Sequence, residues 1–108
     1  CNNFDLPKGL DGHKSNAAFM IQTAEGAIGD ILVDNNWING GNIVFQAIDN
    51  GFGAPTNVRI INNLWGKDCQ YGLFTGSVDE WTNNRWEDTQ QLISLEEARN
   101  ANNPNCRF

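Results

Sequence analysis

The sequence predicts an all-β solenoid of about three coils, followed by a short C-terminal helix. An Asn-Asn pair followed by large apolar residues recurs four times, and strand-like runs precede the last three pairs. A second set of strand-like runs lies between the pairs. The pairs begin at positions 2, 35, 62 and 83, so their spacings are 33, 27 and 21 residues. Such spacings are typical of solenoids, in which each repeat needs a stacked neighbour to bury its apolar face.

The strand-like runs form two predicted ladders. Residues 31–34, 58–61 and 78–82 lead into Asn-Asn pairs, and residues 19–22, 43–46 and 73–75 lie between them. These runs are rich in β-branched, aromatic and other apolar residues, as expected for strands buried against a core. Gly-containing loops connect each strand of the second ladder to the next strand of the first.

The Asn-Asn pairs have a physical role in such a stack. Equal positions of neighbouring coils lie about 4.8 Å apart. The Asn side chain offers a donor and an acceptor and tolerates the left-handed backbone of a sharp corner. Stacked Asn residues are therefore predicted to bond to one another along the stack. The alternative is that the Asn-Asn pairs only mark turns, as they would in a β-sandwich. The aligned aromatic residues after the pairs favour the solenoid. The predicted ladder residues are Asn35, Asn36, Asn62, Asn63, Asn83 and Asn84.

Length and charge limit the function classes. The 108 residues suit one domain, with coils over residues 1–93 and a capping helix and tail over residues 94–108. The net charge is -6 and the seven Lys and Arg residues are scattered, so nucleic acid is disfavoured as a partner. No apolar stretch approaches the roughly 20 residues that span a bilayer, so no transmembrane segment is predicted.

The three cysteines indicate an extracellular protein with one intramolecular bridge and one spare thiol. We assign Cys69 and Cys106 to the bridge and Cys1 to an intermolecular bond, although the sequence alone does not fix the pairing. The sequence lacks an initiator Met, which favours a mature or excised product of secretion. An N-terminal Cys is also what signal cleavage leaves on a bacterial lipoprotein, so a lipid anchor at Cys1 is an alternative.

A short helix is predicted near the C-terminus. Ser94 and Glu97 fit a capping box, Leu95 and Ala98 with Ala101 give one apolar side, and residues 102–104 read Asn-Asn-Pro and end the helix. We expect this helix to cover one end of the solenoid.

The runs ILVDNNWINGGN and NVRIINNLWGKDCQYG resemble the right-handed parallel β-helix superfamily, which includes pectate lyases and other secreted polysaccharide lyases. The resemblance covers roughly residues 11–88 and implies a right-handed solenoid. It also implies a polysaccharide as a ligand. Its motifs are degenerate and identify a fold better than an activity.

The candidate catalytic residues are His13, Asp79, Glu80 and Arg59. Carboxylates serve as acid and base in glycosidases, whereas a pectate-type lyase uses a basic residue with calcium. For His13 a surface or turn position is the alternative, and for Asp79 a surface ion pair with Arg59. Residues 49–51 read Asp-Asn-Gly like the start of a calcium loop, but the later ligands are missing, so calcium is the one cofactor considered and no metal ligands are assigned.

Candidate ligand-binding residues are Trp65, Tyr71, Trp86 and Asp68. Outward-facing rings with polar neighbours suit a carbohydrate groove, whereas inward-facing rings fill the core. Core filling is favoured for Trp65, and both positions stay open for Tyr71 and Trp86.

Two functions from different classes follow. The first is a secreted structural solenoid that self-associates end to end into a filament or assembly, because the open edges of a solenoid template pairing with another chain. The alternative is a carbohydrate-binding module or the terminal coils of a polysaccharide lyase or hydrolase.

Overall fold

A computed structural model describes residues 3–6, 17, 19–23, 26–49 and 51–106 of the chain. These residues form ten β-strands and one helix. The strands are β1 (Asn3–Leu6), β2 (Phe19–Gln22), β3 (Gly29–Asp34), β4 (Trp37–Gly40), β5 (Ile43–Ile48), β6 (Thr56–Ile61), β7 (Leu64–Trp65), β8 (Gly72–Gly76), β9 (Glu80–Thr82) and β10 (Arg85–Trp86), and the helix is α1 (Leu95–Arg99).

The strands pair into three parallel sheets. Sheet 1 has the order β1-β4-β7-β10, sheet 2 the order β2-β5-β8 and sheet 3 the order β3-β6-β9. From β2 onward the chain visits sheets 2, 3 and 1 in turn and then repeats, so each coil adds one strand to every sheet. This connectivity is compatible with a short solenoid of the β-helix type. The all-β prediction is confirmed.

Sheets 2 and 3 are the two predicted ladders. The bounds of β2 are those predicted, whereas β5 and β8 extend beyond their predicted runs and β9 begins two residues late. Sheet 1 was not predicted, since only corners and turns were expected after the Asn-Asn pairs. Its later strands are two residues long and place one residue each in the core, which is too short for a periodic pattern.

The first Asn-Asn copy is shifted by one residue from the predicted alignment. The register places Asn3 beside Trp37 and Phe4 beside Ile38. Phe4 therefore shares its row with Trp65 and Trp86, which align with Ile38 through β7 and β10. Residues of neighbouring coils therefore align by strand register. A residue directly after an Asn-Asn pair does not always occupy the same row of the sheet.

The first Asn of each later pair turns the corner. Asn35, Asn62 and Asn83 have positive φ angles of 59°, 58° and 53°. This left-handed backbone costs Asn less than other residues that carry a Cβ atom. The side chains of these residues lie at the exposed corner, where Asn83 Nδ2 donates to Asn62 Oδ1 at 2.8 Å and Asn62 Nδ2 donates to Asp34 Oδ1 at 3.0 Å.

The second Asn of each of the last three pairs lies in a buried ladder, in which the carboxamides stack as predicted. Asn36, Asn63 and Asn84 are 8%, 1% and 0% exposed. Asn36 Nδ2 donates to Asn63 Oδ1 and Asn63 Nδ2 donates to Asn84 Oδ1, each at 3.2 Å. Asn63 Nδ2 also donates to the Val33 carbonyl at 2.9 Å, and Asn84 Nδ2 to the Ile60 carbonyl at the same distance. The buried carboxamides thus bind both the next coil and the backbone of the preceding one.

The core lies between the three sheets and contains a cluster of aromatic rings. Trp65 comes from sheet 1, Phe45 and Phe74 from sheet 2, and Trp81 from sheet 3. The Phe45 ring centroid lies 5.6 Å from that of Phe74 and 6.5 Å from that of Trp65, and the Trp81 centroid lies 5.3 Å from that of Trp65. These distances are typical of favourable aromatic pairs. The sheets are therefore joined by side chains, since their backbones bond only within each sheet.

Residues 90–106, called the cap here, contact the last strand of every sheet. Leu92 forms an antiparallel bridge with Arg85 of β10, and the Trp81 indole of β9 donates to the Ile93 carbonyl at 2.8 Å. On β8, Arg99 donates to the Gly76 carbonyl at 2.8 Å. The helix within the cap begins as predicted, because the Ser94 side chain accepts a hydrogen bond from the Glu97 amide. It ends at Arg99, before the predicted stop, and leaves Ala101 exposed.

The cap takes backbone bonds that a further coil would take. Along the corner, Leu64 N donates to Asn36 O at 2.8 Å and Arg85 N to Asn63 O at 3.0 Å, and Ile93 N continues the series to Asn84 O at 2.8 Å. The predicted disulfide between Cys69 and Cys106 is present and ties the end of the cap to the loop before β8. A bridge with a sequence separation of 37 residues stabilises the fold by about 4 kcal/mol in the chain-entropy model.

The buried ladder predicts a large difference between the two Asn residues of one corner. Asn63→Ala removes the acceptor of two Asn36 donors and the donor to the Val33 carbonyl, so we expect a loss of about 3 kcal/mol in unfolding free energy. Asn62→Gly is the matched control, because Gly keeps the positive φ and only exposed bonds are lost; we expect a loss under about 1 kcal/mol. Urea denaturation measures both. Equal losses would contradict a stabilising role for the buried ladder.

Candidate functional site

The predicted catalytic residues lie in two different parts of the chain. His13 is outside the described residues, as is Cys1, so neither position is tested. Arg59 and Glu80 are register partners on the exposed face of sheet 3. Asp79 lies one residue before Glu80, and its Oδ2 accepts a hydrogen bond from the Val58 amide at 2.7 Å. The Asp79 carboxylate therefore links the residue before β9 to β6 of the preceding coil.

Two of the four predicted ligand-binding residues are in the core. Trp65 is 0% exposed and Trp86 is 2% exposed, and the Trp65 indole donates to Asn84 Oδ1 at 3.2 Å. A sugar ring cannot stack on a ring that is enclosed in this way. The reason is the register, since the second residue after each of the last three Asn-Asn pairs, Ile38, Trp65 and Trp86, faces inward. Core filling is thus confirmed for Trp65 and applies to Trp86 as well.

Asp68 and Tyr71 lie on the loop between β7 and β8, residues 66–71, which stacks on the preceding coil. Asn39 Nδ2 donates to Asp68 Oδ2 at 3.1 Å, and the Asp68 amide donates to Asn39 Oδ1 at 3.0 Å. Gly66 allows this pair, because a Cβ atom at Gly66 would collide with the Asn39 carboxamide. Asn39 is buried, and its two bonds fix both the backbone and the side chain of Asp68.

The same loop carries a basic group and an exposed ring. Lys67 Nζ lies 3.0 Å from Asp88 Oδ2 and 5.4 Å from the centroid of the Trp86 ring. The hydrogen bond from Lys67 lowers the pKa of Asp88 below its ordinary 3.8; desolvation opposes this effect and the Lys67 charge adds to it. Tyr71 is 46% exposed, and its hydroxyl accepts a hydrogen bond from the Gln70 side chain at 3.0 Å. Tyr71 and Asp68 are the two predicted ligand-binding residues that reach the surface.

Within the described ranges, no group of three or more His, Cys, Asp or Glu side chains is arranged to hold a metal ion. The loop after β5 is a turn in which Asp49 Oδ1 accepts from the amides of Gly51 and Gly53, each at 3.0 Å. None of the described helices is long and apolar enough to cross a membrane.

The other candidate surface is the edge formed by β1, β2 and β3, called the N-terminal edge here. Each is the first strand of its sheet and, in the part of the chain that the structure describes, pairs on one side. Met20 on β2 is 37% exposed and Leu32 on β3 is 51% exposed. An edge strand presents unpaired amides and carbonyls that can bind another strand.

No protein-family model matches the chain, and no curated protein or solved structure matches it either. The functional proposal therefore depends on the geometry of these surfaces.

Sequence reasoning missed Asn39, Thr23 and the strand-like part of the cap. Thr23 is fully buried and donates to the Gly53 carbonyl at 2.7 Å, which anchors the loop after β5 to the preceding coil. The one sequence signal for the role of Asn39 was the glycine at position 66, one coil later. A Cβ atom at Gly66 would occupy the space that the Asn39 side chain needs. No periodic pattern marks residues 91–93, since Arg85 and Leu92 form an isolated antiparallel bridge that is too short to give one.

The Lys67–Asp88 pair predicts an acid-side change in stability. Because the pKa of Asp88 is lower in the folded chain, the pair favours folding above about pH 3.8, and this contribution is lost as the pH falls through the lowered pKa. Lys67→Met keeps the apolar stem over Trp86 and should move the Asp88 titration up toward 3.8. NMR titration of the side-chain carboxyls measures this shift. Arg59→Met is the control and should leave Asp88 unchanged; a shift in the control or none in Lys67→Met would contradict the assignment.

Proposed function

We propose that the chain is a secreted structural module, a short right-handed parallel β-solenoid that associates with a second copy through its N-terminal edge. The observation that carries the proposal is the difference between the two ends of the stack. At one end the cap bonds to the last strands, and at the other β1, β2 and β3 present strand edges in the described part of the chain.

The sequence order supports the right-handed form. Crossover connections between parallel strands of one sheet are right-handed in the great majority of proteins, and the parallel strand pairs here are joined by crossover connections. The disulfide is compatible with an extracellular location, because disulfides persist in oxidising surroundings.

The cap refines the expected mode of assembly. A head-to-tail filament requires each copy to offer both ends, but residues 91–93 and α1 already contact the last coil. The N-terminal edges of two copies can still meet around a two-fold axis, which gives a closed pair. We therefore propose pairs of capped modules as the assembly of the oxidised protein.

Charge on the edge strands tests this proposal. Met20→Lys/Leu32→Lys places two cations on β2 and β3 at exposed positions, and Lys on an edge strand opposes pairing with another chain. We expect the wild type to form dimers as its concentration rises and this variant to stay monomeric over the same range, as measured by sedimentation velocity.

Phe52→Lys/Leu92→Lys is the matched control, because it exchanges two exposed apolar residues of later coils, outside β1, β2 and β3. It should dimerise like the wild type. A wild type that remains monomeric at millimolar concentration, or a control that loses dimers with the edge variant, would overturn the proposal.

Carbohydrate binding is a second candidate, and the exposed Tyr71 ring favours it. The hydroxyl of Tyr71 accepts a hydrogen bond from the Gln70 side chain, which holds the exposed ring in place. A flat ring beside placed polar groups is how proteins contact sugars.

This second candidate is tested with a panel of neutral and acidic polysaccharides. Tyr71→Ala should weaken binding by about tenfold or more, whereas Phe52→Ala removes a similarly exposed ring elsewhere and should not. Isothermal titration calorimetry measures both. Absence of binding across the panel, or equal losses in the two variants, would eliminate this candidate.

A further inference from the structure

We propose that the last coil carries a second docking surface beneath the cap, which accepts the N-terminal edge of another copy when the Cys69–Cys106 bridge is reduced. This inference rests on the proposed function, because the same N-terminal edge is the partner surface. Reduction of the bridge would convert the proposed two-copy contact into open head-to-tail stacking.

The register rows provide the first support. The sheet 2 row reads Phe19, Phe45 and Phe74, and the sheet 3 row reads Val33, Ile60 and Trp81. The sheet 1 row runs from Phe4 to Trp86. Each row is apolar at both ends, so the N-terminal edge of a second copy would continue all three rows above the last coil. A stack of this kind needs no new type of contact.

Charge complementarity at the corner provides the second support. The exposed ladder begins at the Asp34 carboxylate, and at its other end Arg85 Nε donates to Asn83 Oδ1 at 3.0 Å. The two ends of one ladder thus carry opposite charges at the same corner. Head-to-tail stacking brings the Asp34 carboxylate of one copy toward the Arg85 guanidinium of another, whereas two N-terminal edges do not bring these groups together.

The cap already imitates an incoming coil. Ile93 N binds Asn84 O as the next corner strand would, and Asn103 N binds Tyr71 O at 3.0 Å as Tyr71 N binds Asn42 O at 2.9 Å. The groups beneath the cap are therefore those to which a stacked coil bonds. A second copy competes with the cap for these positions.

The bridge favours the cap in this competition. It joins Cys106, near the end of the cap, to Cys69 in the loop before β8. A dithiol reductant supplies two electrons and two protons, the S–S bond breaks into two thiols, and the reductant becomes a cyclic disulfide. The cap is then held by noncovalent contacts, among them the bonds of Arg99 and Asn103, and its end can leave β8.

The experiment uses the full chain with Cys1→Ser, so that the Cys69–Cys106 bridge is the one disulfide that forms. Light scattering and negative-stain microscopy compare the oxidised protein with protein treated with dithiothreitol. We expect the oxidised protein to stop at pairs. We expect the reduced protein to form longer assemblies whose mass rises at least threefold over the oxidised protein and continues to rise with concentration.

Gly72→Ala loosens the cap without reduction, because its Cβ atom would lie 2.5 Å from the Asn100 carbonyl oxygen. The oxidised Gly72→Ala protein should also form longer assemblies. Gly26→Ala is the control, since a Cβ atom there meets nothing within 4 Å. Circular dichroism confirms that both variants and the reduced protein keep their strands.

Copies with Met20→Lys/Leu32→Lys act as chain terminators in the mixed reduced sample. Such a copy can join through its last coil but cannot extend the stack, so adding it should shorten the assemblies. Reduced, folded protein that keeps the oxidised mass overturns the inference and leaves the proposed pairing intact. Growth that the terminator copies do not shorten also overturns it. An oxidised monomer that grows on reduction supports the inference and rejects oxidised pairing.

Discussion

The fold depends on the buried row of Asn36, Asn63 and Asn84. Parallel coils must turn sharply and still leave no backbone amide or carbonyl unpaired in the interior. A carboxamide meets this requirement because it can accept and donate at once: the Asn63 side chain accepts from the Asn36 amide and donates to the Val33 carbonyl, both in the preceding coil. The preceding Asn of each pair supplies the left-handed corner. One dipeptide therefore provides the bend and satisfies the polar groups that the bend exposes.

The long strands and the corners were predictable from the sequence, because β-branched runs and Asn pairs are local signals. Sheet 1 was not, because β7 and β10 are two residues long and its order appears only when coils are aligned. The inward position of Trp65 and Trp86 could have been predicted from the alternation of side chains along a strand. Arg85 is the first residue after its pair and must face outward, so the second residue faces the core. The cap contacts the last coil through isolated bonds, such as the Arg85–Leu92 bridge and the Trp81–Ile93 bond, which are too short to leave a periodic pattern.

The acidic residues of the chain are used mostly as acceptors. All six described Asp side chains accept hydrogen bonds: Asp30 from Asn57, Asp34 from Asn62, Asp49 from two glycine amides, Asp68 from Asn39, Asp79 from Val58 and Asp88 from Lys67. Five of these Asp residues bind a residue of a neighbouring coil directly, and Asp49 binds within its own loop. A carboxylate is an acceptor that needs no donor of its own, which suits the end of a ladder. These six carboxylates therefore serve as acceptors within the fold, which supports the proposed structural role.

The ends of the stack determine what such a module can assemble into. The strands of the interior coil, β5, β6 and β7, pair with a strand on each side, whereas an end coil must pair with a cap, with water or with another chain. At the last coil the cap is this partner. The Ile93 and Asn103 amides of the cap bond to the coil as a strand would, and the short helix covers another part of the coil. Because the cap copies the hydrogen bonds of a coil, its contacts and those of a true coil are alternatives for the same groups. In the proposed assembly, a covalent bridge that favours one alternative would therefore control whether the stack ends or continues.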